Sequence, residues 1–259
     1  MKVEEPQFRP VGRDGRRIAF RRRAGLPSRG PGVVWLGGFK SDMDGAKASA
    51  LDAHCAATGR AFLRFDYSGH GLTGGDFALG TISRWLEEAK AMILAESEGP
   101  QVIVGSSMGG WLALLVAREL AALGQTARLK GLLLIAPAVD FTEALLWPSL
   151  PEAARRDIET RGQWAAPSAY GAEPYVFTRA LIEDGRTHLL LGGLIRAHAP
   201  VRVLQGRLDP DVPYAHALRL MERLADDEAT LTLVRDGDHR LSRPQDLELL
   251  TQTVDEMCR

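Results

Sequence analysis

The most restrictive feature of this chain is the passage at 101–124. A continuous apolar run ending at Val104 enters Gly105-Ser106-Ser107-Met108-Gly109 and continues without a spacer into a helical pattern that stops at Gly124. A turn this tight between strand and helix strains the residue at its centre. The residues two positions away on either side must lack side chains, or they collide with the strand and the helix. Only Ser107 has glycine at both positions; Ser106 does not. Such a turn pushes its central hydroxyl out beyond the carboxyl end of a buried strand, beside the free N–H groups that open a helix. In this setting Gly-x-Ser-x-Gly marks a nucleophile elbow.

The surrounding sequence supplies the scaffold. Residues 7–23 read as two strands joined at Arg13-Asp14-Gly15, because Asp-Gly between alternating segments favours a hairpin. The run 33–36 is uninterruptedly apolar, as expected of a strand buried on both faces. Further strands are predicted at 61–65, 101–104, 132–136, 201–205 and 230–234. Helices are predicted at 44–58, from an Asp start to a Gly59 stop, and at 81–97, 108–123, 215–224 and 245–257. This alternation predicts an α/β fold, a parallel sheet covered on both faces. It fails between 141 and 191, where Trp147-Pro148, Leu150-Pro151, Pro167 and Pro174 interrupt any regular pattern. A long insertion in a compact domain is usually functional. The expected organisation is a core of 1–140 and 192–259 with a cap insertion at 141–191. The three arginines Arg21, Arg22 and Arg23 read as solvated positions on an edge strand, where charge discourages edge-to-edge pairing.

Composition removes several classes of function. With 32 Lys plus Arg against 33 Asp plus Glu, the chain has no field with which to recruit a polyanion, so no nucleic acid partner is expected. Its apolar runs are far shorter than the roughly 20 residues of a spanning helix, and MKVEEPQF does not begin a secretory signal, so no membrane span is expected. Two cysteines, Cys55 and Cys258, fit a reduced compartment, and the expected location is cytoplasmic.

A serine nucleophile needs a base within hydrogen-bond reach, and the base needs an acid to fix its tautomer. Asp209 lies just past the strand at 201–205, and His239 lies in the loop after the strand at 230–234. Both loops open on the side where Ser107 emerges. Asp140 and Asp211 are the competing acids on that rim. Of the other histidines, His54 lies within a helix, His70 in a glycine-flanked turn and His216 at a helix start, while His188 and His198 fall near the end of the insertion. An oxyanion would be held by the backbone N–H of Met108, directly after the nucleophile, and by that of Phe39, where Gly37-Gly38 lets the loop after 33–36 pass close to substrate. No ligand spacing suggests a metal, and Gly69, Gly71, Gly74 and Gly75 form no nucleotide loop, so no cofactor is expected.

Longer segments carry a resemblance. Trp35-Leu36-Gly37-Gly38-Phe39-Lys40-Ser41-Asp42-Met43, Gly105-Ser106-Ser107-Met108-Gly109-Gly110-Trp111, Asp209-Pro210-Asp211-Val212-Pro213 and Gly237-Asp238-His239-Arg240 resemble the α/β-hydrolase superfamily. More narrowly they resemble its mitochondrial abhydrolase subfamily of acyl-protein (palmitoyl) thioesterases and acyl-glucuronide esterases. Gly162-Gln163-Trp164 and Pro167-Ser168 extend the likeness into the insertion. The resemblance implies a doubly wound, mostly parallel eight-stranded sheet with a cap, and a serine hydrolase using Ser107, Asp209 and His239. Its substrates would be small-molecule or acylated-protein esters or thioesters. No mitochondrial presequence is evident, which suggests a bacterial-type relative. The same three residues would serve a carbon-carbon bond hydrolase or a cofactor-free perhydrolase, and a non-catalytic scaffold would usually have lost one of them. Trp147, Trp164, Tyr170, Tyr175 and Phe177 would either line an acyl-chain pocket or form the cap's own small core.

Overall fold

The computed structural model describes residues 5–26, 29–166, 175–224 and 228–259. Pro167, Ser168, Tyr170 and Pro174, singled out above, lie outside them.

The chain opens with the expected hairpin, β1 (Gln7–Val11) and β2 (Arg16–Arg23), and continues through β3 (Gly32–Leu36), α1 (Ala46–Thr58), β4 (Phe62–Phe65) and α2 (Ile82–Glu96). Next come β5 (Gln101–Ser106), α3 (Met108–Ala122) and β6 (Leu129–Ile135). The following segment contains a π-helical turn (Thr142–Leu146), α4 (Trp147–Ser149), α5 (Glu152–Arg161), β7 (Gln163–Ala166), β8 (Tyr175–Thr178) and α6 (Arg179–Arg186). The chain closes with β9 (Val201–Gly206), α7 (Tyr214–Arg223), β10 (Ala229–Val234) and α8 (Pro244–Met257).

Eight strands form one sheet in the order β1-β2-β4-β3-β5-β6-β9-β10. The pairs β1 with β2 and β2 with β4 are antiparallel, and the remaining neighbours are parallel. The expected α/β, mostly parallel eight-stranded sheet is therefore observed. The period of two along each central strand divides the core. Val34, Leu36 and Ile103 face a layer containing residues of α2 and α3, whereas Val33, Trp35, Val102 and Val104 face Leu51 of α1 and Val254 of α8.

Three local expectations need correction. The strand β2 is not an edge, because β1 covers its outer side. Its arginines are ion-paired, Arg22 while still exposed as expected: Arg21 with Asp44 at 3.4 Å, Arg22 with Glu96 at 3.5 Å and Arg23 with Asp52 at 2.9 Å. Asp44 consequently does not cap α1. Its carboxylate also meets buried Arg64 at 3.0 Å, and Gly45 takes the N-cap position without a side-chain bond. Finally, Pro148 and Pro151 do not prevent helices after β6. Pro148 sits where the π-helical turn passes directly into α4, and Pro151 is the N-cap of α5, where the missing N–H has no intrahelical partner to lose. A two-stranded antiparallel sheet, β7 with β8, follows where no strand was expected.

Candidate active site

Ser107 sits between β5 and α3 with φ 55° and ψ −117°, in the left-handed half of backbone space that a non-glycine residue rarely enters. Its N–H donates to Ile135 O at 2.8 Å, which ties the turn to β6. The flanking glycines are obligatory here: a Cβ on Gly105 would lie 2.2 Å from Gly109 O, and one on Gly109 would lie 2.1 Å from Leu36 O. Backbone cannot yield to such contacts, so the pentapeptide and the end of β3 form one close-packed unit.

The loops after β9 and β10 are stitched together. Leu208 N–H donates to Gly237 O at 2.9 Å and Arg207 N–H to Val234 O at 2.9 Å. This brings His239 beside Asp209. His239 Nδ1 lies 2.8 Å from Asp209 Oδ2, and its Nε2 lies 3.1 Å from Ser107 Oγ. A carboxylate only accepts, so Nδ1 carries the proton and Nε2 is left to accept from the serine hydroxyl. The Asp209 side chain is completely buried. Its Oδ1 accepts from the N–H groups of Asp211 (2.9 Å) and Val212 (2.8 Å), and Oδ2 also accepts from Gln205 Nε2 at 3.1 Å. Four donors thus fix one carboxylate.

Gln205 was missed by sequence reasoning. It is fully buried at the end of β9, and its amide also donates to Val212 O at 2.9 Å, bracing the turn that presents Asp209. A single glutamine at a strand end carries no motif that could have announced it. The competing acids have other tasks. Asp140 accepts from Leu190 N–H (2.9 Å) and Leu191 N–H (2.8 Å), so it pins the chain returning toward β9, and burial pushes its carboxyl pKa up. Asp211 supplies a backbone N–H to Asp209. Three of the other histidines are likewise engaged elsewhere: His54 with Asp255 at 3.0 Å, His188 with Ser83 at 2.7 Å and His216 with Val139 O at 2.8 Å.

Met108 is the first residue of α3, so its N–H has no intrahelical acceptor. Across from it, a Cβ on Gly38 would lie 3.4 Å from Ser107 Cβ and 3.3 Å from Ser106 O, placing the loop that carries Phe39 in van der Waals reach of the serine. The Phe39 ring joins this loop to β8, stacking on Phe177 at 5.7 Å and Tyr175 at 5.9 Å and meeting Phe141 edge-on at 5.6 Å. Trp147 and Trp164 pack instead on a small cluster of Leu150, Ala154 and Ile158. Among the described residues, the group that could offer three ligands to a metal is Asp209, Asp211 and His239, whose ligand atoms lie within 4.8 Å of one another. Two of the three are already hydrogen-bonded to each other. No described helix is long and apolar enough to cross a membrane.

Residues 10–248 match the family described as Alpha/beta hydrolase family. The chain is 34% identical over 241 residues to palmitoyl-protein thioesterase ABHD10, mitochondrial, of Mus musculus, covering 93% of this chain and 78% of that protein. It is 31% identical over 261 residues to the Homo sapiens protein of the same name, covering 97% and 83%. Among solved structures, a putative hydrolase from Agrobacterium vitis S4 superimposes with a TM-score of 0.93 at 47% identity, over 98% of both chains. These relatives correct one expectation. The curated thioesterases are mitochondrial proteins, which overturns the cytoplasmic location. Few cysteines and short apolar runs fit any reducing compartment and cannot distinguish one from another.

Proposed function

This chain belongs to the alpha/beta hydrolase family and is a hydrolase of the esterase and thioesterase type, and from that premise we propose that it cleaves acyl thioesters and carboxylic esters through an acyl-enzyme on Ser107. The observation that carries the reading is the unbroken relay from Ser107 Oγ through the His239 ring to Asp209, with links of 3.1 and 2.8 Å. As Oγ attacks the acyl carbonyl, His239 Nε2 takes its proton and Asp209 stabilises the resulting imidazolium. The tetrahedral oxyanion accepts from the N–H groups of Phe39 and Met108, each such donor contributing about 2.7 to 4 kcal/mol. Collapse breaks the bond to the leaving group, which receives the proton from His239 as a thiol or an alcohol. Water then attacks the acyl-serine, with His239 as base, and releases the acid and free Ser107.

The substrate is an acylated protein or small molecule, as the name of the thioesterase relatives suggests. In this reading residues 141–191 form a cap over the 1–140 and 192–259 core. The apolar wall of Phe39, Tyr175 and Phe177 receives the acyl chain. Treatment with a fluorophosphonate and peptide mapping test the mechanism: the adduct should lie on Ser107, and Ser107→Ala should remove nearly all hydrolysis of p-nitrophenyl esters and acyl thioesters. An adduct on another residue, or hydrolysis that survives Ser107→Ala, would overturn it.

A further inference from the structure

We propose that His70, on the loop after β4, is a positioning residue that sets the geometry of the oxyanion loop by holding the peptide next to the Phe39 donor. This rests on the assignment of Phe39 N–H as an oxyanion donor. The residues 38–41 form a tight turn in which Ser41 N–H donates to Gly38 O at 3.1 Å, and its third residue, Lys40, has φ 57°. A turn with positive φ at that position ordinarily carries glycine, because a Cβ there is strained. Lysine occupies it here, so something outside the turn must stabilise the conformation.

The Lys40 ammonium lies over the rings of Phe77 at 5.5 Å and Tyr175 at 5.4 Å, and its backbone is held by His70. Its Nε2 lies 3.1 Å from Lys40 N, and its Nδ1 lies 3.1 Å from Ser68 O. The backbone N–H can only donate and the carbonyl can only accept, so the ring is held as the neutral Nδ1–H tautomer. An imidazolium would lose the acceptor. Burial favours the same neutral form and lowers the pKa to about 4. The ring is itself gripped edge-on by Trp85 at 5.3 Å, Phe77 at 5.2 Å and Tyr67 at 5.7 Å. Trp85 Nε1 donates to the Ser68 carbonyl that also receives the His70 proton, at 3.1 Å. One step further along the oxyanion loop, Asp66 accepts from Met43 N–H through Oδ1, at 2.6 Å, and from Leu72 N–H through Oδ2, at 2.7 Å. The loops after β3 and β4 are therefore braced as one body. The buried imidazole is the part of that brace nearest to Phe39 in the chain.

A substitution pair separates acceptor from packing. His70→Gln keeps a carbonyl oxygen that can accept from Lys40 N–H, whereas His70→Leu fills the space without one. On p-nitrophenyl acetate, His70→Leu should lower kcat about tenfold to a hundredfold, the scale of a displaced catalytic donor, with KM changed less than about threefold. His70→Gln should retain at least about a third of kcat. A second test relieves the turn. In a Lys40→Gly background, where positive φ costs nothing, the kcat loss caused by His70→Leu should shrink at least fivefold, as expected when one interaction couples the two sites. Equal kcat for the Gln and Leu variants, or the same His70→Leu factor in both backgrounds, would overturn the proposal and leave the ring as packing alone. These outcomes are distinct from failure of the hydrolase mechanism, which would appear as activity surviving Ser107→Ala.

Discussion

At the residue scale the two buried aspartates near the rim separate by what accepts their charge. Asp209 faces an imidazole and three further donors, whereas Asp140 accepts from the backbone N–H groups of Leu190 and Leu191 and feels the charge of Arg219. Replacing Asp209 by Asn presents an amide to Nδ1 and favours the wrong tautomer of His239, so kcat should fall by about 10⁴ while the fold persists. Asp140→Asn keeps one acceptor oxygen for these N–H groups but sets an NH2 group against the N–H of Leu190. It should lower stability by about 1 to 3 kcal/mol and leave kcat within a few-fold. Steady-state kinetics and denaturant unfolding on both variants check the pair. An inactive Asp140→Asn enzyme beside an active Asp209→Asn enzyme would reverse the assignment.

At the scale of elements, the proposed function gives β8 a more direct bearing on the chemistry than the helices before it. Tyr175 and Phe177 stack on Phe39, beside the proposed oxyanion donor, while Trp164, the cross-strand partner of Phe177, stacks on it and packs on Leu150, Ala154 and Ile158. Phe177 joins the two groups, since it stacks on Phe39 and also packs on the Leu150, Ala154 and Ile158 cluster. Each buried methylene contributes about 0.8 kcal/mol, so kcat/KM should rise with acyl length on the unmodified enzyme. Phe177→Ala should flatten that rise, and Trp164→Ala should lower Tm while reducing activity evenly across chain lengths. A p-nitrophenyl ester series from acetate to decanoate, with thermal melts, measures both. A Phe177→Ala profile parallel to that of the unmodified enzyme would remove β8 from the acyl site.

For the molecule as a whole, both thiols report on opening of the core. Cys55 and Cys258 belong to the buried cluster on the α1 and α8 side of the sheet. Burial pushes the Cys55 thiol up to about 12, and it raises Cys258 as well. Little thiolate forms, and reagents cannot reach the sulfurs without separating α1 and α8 from the strands. Ellman's reagent at pH 8 should therefore modify neither cysteine in the native protein and both in denaturant. Iodoacetamide should leave ester hydrolysis intact. Rapid native labelling would mean that this layer opens locally.

The sequence alone determined the alternation of strands and helices, because unbroken apolar runs and Gly-terminated amphipathic stretches are local signals that burial in a parallel sheet requires. It also marked the serine turn, since the contacts at 2.2 and 2.1 Å between backbone and any added Cβ admit only glycine at positions 105 and 109. Strand-end positions pointed to Asp209 and His239 for the same reason: parallel strands deliver their following loops to one side. Only the tertiary structure decided where the polar groups go. The bond from His70 to Lys40 spans 30 residues and that from Asp140 to Leu191 spans 51. Arg21, Arg22 and Arg23 of β2 are ion-paired because Asp44, Glu96 of α2 and Asp52 of α1 meet them. Hydrogen-bond partners so distant in sequence leave no periodicity behind, because a donor and its acceptor constrain each other in space and not along the chain.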